Sequence, residues 1–169
     1  ANPDTFERGD LFERDTWRLQ ARDILAMMSA VRDHFDNPVV VLVGHSRGGA
    51  STLLAAADCF EQGLPGPARV VTLSAPASLG RLRDEDRAAL LERGWIDIPS
   101  ARTSQVLRVR KSWLQEQIDD PRWHDILARC ASIPCTTLVA HGERDATVSA
   151  SDARTIANAV TNATLAIID

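Results

Sequence analysis

Residues 39–50, Val-Val-Val-Leu-Val-Gly-His-Ser-Arg-Gly-Gly-Ala, constrain this chain more than any other stretch. A run of β-branched residues stops at Gly44, Ser46 follows between Gly44 and Gly48, and small residues then continue as a helix. The order is strand, sharp turn, helix, with the pattern G-x-S-x-G at the turn. A strained turn of this kind lifts the serine hydroxyl above the end of a sheet, and the glycines remove Cβ atoms that would collide there. The helix that follows directs its unpaired N–H groups and positive dipole end at the same place, which suits a developing oxyanion. Ser46 therefore reads as a nucleophile.

Two plainer readings compete. Ser46 could cap a helix in another α/β fold, since serine is a favoured N-cap. The glycines could also form a phosphate loop, but no Gly-Lys-Ser/Thr follows and G-x-G-x-x-G is absent.

The flanking chain supplies more of the same architecture. Trp17, Ala21, Ile24, Met28, Val31 and Phe35 recur at steps of four and three, which predicts one amphipathic helix over 12–35. Asn37-Pro38 ends it and leads into the strand 39–43, apolar on both faces as a central parallel strand is. A helix over 47–61, a turn at 63–67 and a strand over 69–74 complete a βαβ unit. Residues 78–130 are less regular and read as a cap or excursion from the sheet. They hold a charged helix over 84–93 closed by Gly94, a short strand near 105–109, and helices over 111–118 and 121–130. Trp95, Trp113 and Trp123 fall in this region; each reads as core packing, with a pocket wall as the alternative. A strand over 136–140, a helix from the Ser149 cap to Val160 with Asp152 as capping-box acid, and a strand over 164–168 follow. Residues 1–11, including Arg8-Gly9-Asp10, read as a polar loop.

A serine hydroxyl needs a histidine to take its proton and a carboxylate to hold that histidine. Asp145 lies in a loop at the carboxyl end of a strand, where functional groups of such sheets gather, and is the candidate acid. Its plainer reading is a turn aspartate bonded to its own backbone. The base should follow it, but His34, His45, His124 and His141 all precede Asp145. His141, at the tip of the same strand as Asp145, suits a structural hydrogen bond better than proton transfer.

The chain has 169 residues and a formal charge of −4, enough for one core and with no electrostatic reason to bind nucleic acid. No apolar run approaches the ~20 residues of a membrane span. Cys59, Cys130 and Cys135 have no metal-ligand spacing, and their odd number suits a reducing compartment, so the expected location is cytoplasmic.

With these residues placed, the chain resembles the α/β-hydrolase superfamily over residues 12–169. The motifs are Gly44-His45-Ser46-Arg47-Gly48-Gly49 and His141-Gly142-Glu143-Arg144-Asp145-Ala146-Thr147-Val148. Within it, the chain looks most like bacterial esterases related to cinnamoyl and feruloyl esterases and dienelactone-hydrolase-like proteins. The resemblance implies an α/β fold with a partial parallel-sheet core of about four strands, flanking helices and a short cap. It further implies hydrolysis of carboxylic esters by acyl transfer, with Ser46 as nucleophile, Asp145 as acid, the Arg47 N–H as an oxyanion donor, and no metal or organic cofactor. The family places a Gly-x-x-His segment shortly after the strand corresponding to Leu165–Ile168, and opens with strands and an oxyanion loop that have no counterpart here. The expectation is therefore the C-terminal part of a longer hydrolase core, with strand 39–43 left as an apolar edge for a second copy or a complementary chain to cover. A non-catalytic binding or interaction module is the alternative. The expected partner is otherwise a small ester, with no nucleic acid and no membrane.

Overall fold

The computed structural model of the chain describes residues 8–100 and 103–169. Its contacts divide into two compact units, residues 1–19 with 80–121, and residues 20–79 with 122–169.

The larger unit is built on a parallel sheet of four strands in the order β1-β2-β5-β6. These are β1 (Val41–His45), β2 (Arg69–Leu73), β5 (Thr136–Gly142) and β6 (Ala163–Ile168). Between β1 and β2 runs α3 (Arg47–Glu61), whose Leu53, Leu54, Ala55, Ala56 and Ala57 are all within 1% of complete burial. Alanines let a helix approach a sheet closely, and each of the two leucines adds about 1.5–3 kcal/mol by leaving water. α6 (Ile126–Cys130) and α7 (Ala150–Ala159) complete this layer structure. The Ser149 side chain caps α7 by accepting from Ser151 N–H, as the sequence predicts. Asp152 is buried, and its Oδ2 accepts from Ala77 N–H at 3.1 Å. A link from α7 to the end of β2 is invisible to capping-box logic.

β1 has the composition of a central strand but, as expected of a partial core, is the sheet edge among the described residues, paired only with β2. Val39, Val41 and Val43 are 80%, 43% and 62% exposed. Beside it, residues of the long helix α2 (Trp17–His34), including Ile24, Met27, Met28 and Val31, line an apolar groove of about 560 Å3.

The smaller unit contains α1 (Gly9–Arg14), α4 (Asp84–Arg93), α5 (Lys111–Asp119) and an antiparallel hairpin of β3 (Trp95–Pro99) and β4 (Val106–Arg110). Gly94 closes α4 in the left-handed conformation, φ +83°, as its position predicts. The hairpin carries an exposed ion pair between Arg108 and Asp97, with the Arg108 guanidinium 3.8 Å from the Trp95 ring centre. Trp17 and Trp113 lie 6.4 Å apart, centre to centre.

Three local expectations need correction. The single helix over 12–35 is two helices: Asp15 is extended, and the Thr16 hydroxyl accepts from Leu19 N–H at 3.3 Å, restarting the helix. Arg8-Gly9-Asp10 runs into α1 rather than forming a loop, while residues 1–7 lie outside the described ones. Helix 121–130 shrinks to α6, because Asp125 caps it by accepting from Ala128 N–H. Trp123 and His124 therefore lie in a turn, where Trp123 Nε1 donates to Asp58 Oδ1 at 3.0 Å. That bond and the burial of Trp113 fit the packing reading for those two, while Trp95 is half-buried with Arg108 over its ring.

Candidate active site

The carboxyl ends of β1, β2 and β5 carry the residues singled out by sequence. The register aligns His45 with Leu73, and Leu73 with Ala140. The next residue on each strand is Ser46, Ser74 and His141 respectively, forming a row across the sheet end.

Ser46 has φ +51° and ψ −123°, outside the regions open to ordinary side chains. Several contacts hold it there. Its N–H donates to Leu73 O at 2.8 Å, and its carbonyl accepts from Gly49 N–H at 2.9 Å and Ala50 N–H at 3.3 Å. The glycines make the turn possible. A Cβ on Gly44 would stand 2.3 Å from Gly48 O, and one on Gly49 would stand 2.8 Å from Ala75 Cβ. The Ser46 side chain makes no capping bond to α3. This removes the plainer N-cap reading: a capping serine has extended backbone and spends its hydroxyl on the helix. α3 starts at Arg47, so the Arg47 N–H belongs to the first-turn amides that find no acceptor within their helix.

Asp145 lies three residues beyond β5, in a turn closed by its own N–H to Gly142 O at 3.1 Å. Its Oδ1 accepts from Thr147 N–H at 2.8 Å and Val148 N–H at 3.0 Å, so the turn-aspartate reading is realised on one oxygen. Those two amides, then the Ser74 hydroxyl, then the nearby His141 ring, hold the carboxyl below the usual carboxylate range against an opposing desolvation. Each donor favours the charged form that an orienting carboxylate needs.

The histidines do not supply a base to this row. His141 is 2% exposed, and its Nε2 lies 2.9 Å from Val148 O. A carbonyl can only accept, so Nε2 carries the hydrogen. Asp145 Oδ2 is 3.7 Å from the same nitrogen, beyond hydrogen-bond range. His141 Nδ1 is buried without a partner. His45 is exposed beside the turn, His34 stacks edge-on against Phe35, and His124 stacks against Trp123.

The sequence reading missed Ser74. It has φ +49° and donates its N–H to Ala140 O at 3.0 Å, and it is one of the groups that lower the Asp145 pKa. The available signal was positional: a serine directly after a strand, one strand over from Ser46.

Residues 3–168 match the Alpha/beta hydrolase family. The chain belongs to that family. No curated protein sequence matches it. Solved structures with the same fold include the esterase domain of a Rhodothermus marinus protein, 18% identical with a TM-score of 0.57 over 88% of this chain and 57% of that one. Est1E from Butyrivibrio proteoclasticus is 17% identical, with a TM-score of 0.64 over 91% of this chain and 60% of that one. A hydrolase from Agrobacterium vitis is 19% identical, with a TM-score of 0.70 over 94% of this chain and 61% of that one. This α/β-hydrolase chain thus spans about three-fifths of the length of each structure it resembles. Among its described residues, no helix is long and apolar enough to cross a membrane.

Proposed function

We propose that this α/β-hydrolase chain carries the nucleophile and acid of a serine hydrolase that cleaves carboxylic esters by acyl transfer. Ser46 attacks the ester carbonyl, the Arg47 N–H donates to the resulting oxyanion, and Asp145 orients the imidazole that takes the Ser46 proton. No histidine follows Asp145 in the 169 residues, and His141 is already bonded to Val148 O. The base therefore comes from outside these residues. The carrying observation is the backbone of Ser46, strained at φ +51° with no capping bond from its side chain. Strain of this kind persists where surrounding contacts over-determine it, and it clusters at functional sites. One similar structure is Est1E with ferulic acid bound, which supports an ester of an aromatic acid as the first substrate to try.

The exposed valines of β1 and the groove beside them support a partner as well: a second copy, or a complementary chain that pairs with the β1 edge. A reducing, cytoplasmic setting goes with the three free thiols.

A second reading has an observation of its own. If the burial of His141 reflects a site without a base, the chain is a non-catalytic module that binds a small ligand at the same strand ends. A fluorophosphonate probe separates the two when applied to this chain and to the longest reading frame containing it. Covalent labelling lost in Ser46→Ala supports the hydrolase; a folded longer protein that takes no label overturns it and leaves the binding module.

A further inference from the structure

From the bonds around the turn after β5, we infer that His141 is a positioning residue whose ring clamps Val148, the residue whose amide holds the Asp145 carboxylate. The inference rests on Asp145 being the orienting acid of the proposed site.

Val148 is held on both sides. Its N–H donates to Asp145 Oδ1 at 3.0 Å, beside the Thr147 N–H at 2.8 Å. Its carbonyl accepts from His141 Nε2 at 2.9 Å. The segment 142–148 therefore leaves β5 and returns to the side chain of a β5 residue. Inside it, Asp145 N–H donates to Gly142 O at 3.1 Å. The Thr147 and Val148 amides fix the carboxylate only relative to its own turn. The imidazole does more, because His141 lies in the sheet ladder opposite Ile167 of β6. Its bond to Val148 O references the turn to the sheet.

The ring has no second task among the described residues. The His141 side chain is fully buried, and its Nδ1 has no hydrogen-bond partner. Asp145 Oδ2, at 3.7 Å from Nε2, is too far to bond it directly. What His141 does for the carboxylate thus passes through Val148. Take the ring away and the carbonyl of Val148, itself only 9% exposed, loses this donor. A buried carbonyl without a donor is costly, so the segment must shift to find another.

The Val148 amide favours the charged form of the carboxyl, so slackening it must make Asp145 easier to protonate. That effect is readable without catalytic activity. The experiment is nuclear magnetic resonance on the isotope-labelled 169-residue chain and on His141→Leu and His141→Gln. In the parent, the ring nitrogen shifts should show the hydrogen on Nε2 and a bare Nδ1. The Asp145 carboxyl is then followed through an acid titration in all three chains. Leucine fills space without a donor. Glutamine carries an uncharged N–H donor as many bonds from its Cα as histidine Nε2 is. The expected result is an upward shift of the Asp145 midpoint in the leucine variant, with faster exchange of the Thr147 and Val148 amides. The amides of β6 should keep their parent rates, and glutamine should return both readouts toward the parent. A hydrogen on Nδ1 in the parent overturns the inference, whether or not either variant folds. So does a folded His141→Leu chain with the parent midpoint. A glutamine variant that titrates like the leucine one also overturns it, because the effect would then come from the ring's charge or shape. None of these readouts uses Ser46, so their failure is distinct from failure of the fluorophosphonate test.

Discussion

Adding one methyl group at three glycines of the same turn gives three different expected outcomes. At Gly44 the new Cβ would lie 2.3 Å from Gly48 O, 2.6 Å from Gly48 C and 2.7 Å from Gly49 Cα. Comfortable separations between such atoms are about 3.5 Å, so the overlap is roughly 1 Å on three atoms at once. All three are backbone atoms of the first turn of α3, and no side-chain rotation can relieve them. Over-packing ordinarily costs about 1–3 kcal/mol; with backbone on both sides, Gly44→Ala should reach the upper figure. Gly49→Ala meets the Ala75 Cβ at 2.8 Å and Gly44 O at 3.0 Å, and should cost less. Gly48→Ala meets nothing within 4 Å and sits inside the helix, so it should stabilise by up to about 0.5–1 kcal/mol. In urea, with a slope of roughly 2 kcal/mol per molar, Gly44→Ala lowers the unfolding midpoint by about 1.5 M while Gly48→Ala raises it by a few tenths. Tryptophan fluorescence and far-ultraviolet circular dichroism would report the transition. A Gly44→Ala midpoint within about 0.3 M of the parent, or a Gly48→Ala chain weaker than Gly49→Ala, would refute the steric account of the turn.

Two further predictions concern charges. Arg129 is buried against Asp58 at 2.7 Å, so Arg129→Met leaves Asp58 with one fewer partner and should cost about 3 kcal/mol; Arg108→Met, which breaks the exposed pair with Asp97, should cost under about 1 kcal/mol. Equal losses in urea unfolding would contradict the difference assigned to burial. Asp145 is held below the usual carboxylate range by the amides of Val148 and Thr147 and by Ser74. Its unfolded form thus binds a proton at higher pH than its folded form, and its contribution to stability is present above the ordinary aspartate pKa and lost as pH falls through the folded one. Asp145→Asn should flatten the acid side of the stability curve between about pH 5 and pH 2, and an unchanged acid slope would count against the bonds described.

What the sequence made legible is what local chemistry decides. The bounds of α3 and α4, the Gly94 and Ser149 caps and the turn at Ser46 each follow from residues within a few positions of one another. Where a polar side chain could cap or break, the apolar period alone misled: Thr16 divides one expected helix, and Asp125 shortens another. Of the β3–β4 hairpin, the strand near 105–109 was legible and its partner β3 was not. Asp97, Arg108 and Arg110 are the polar positions of two short alternating runs, and what holds Arg108 in place is Asp97 and the Trp95 face across the hairpin. Such pairs exist only once the register is known.

The same distinction bears on the site. Ser46 was readable because its turn is encoded by its immediate neighbours, whereas Asp145 was readable only as a position at a strand end. Its surroundings combine two kinds of information. The Thr147 and Val148 amides are local and would form around an aspartate in any such turn. Ser74, whose influence lowers the Asp145 pKa, lies near it only because β2 and β5 pair in the observed register. His141 shows the converse. It stands in the row with Ser46 and Ser74, and proximity in sequence to Asp145 makes it a tempting base. Yet its Nε2 hydrogen is committed to Val148 O, and its ring is buried. To serve as base it would have to break that bond and leave the core of the unit that holds the sheet together. On the proposed reading of Ser46 and Asp145, the base is an imidazole other than His141, which is locked away. The exposed apolar edge at β1 likewise lacks a covering strand among the described residues.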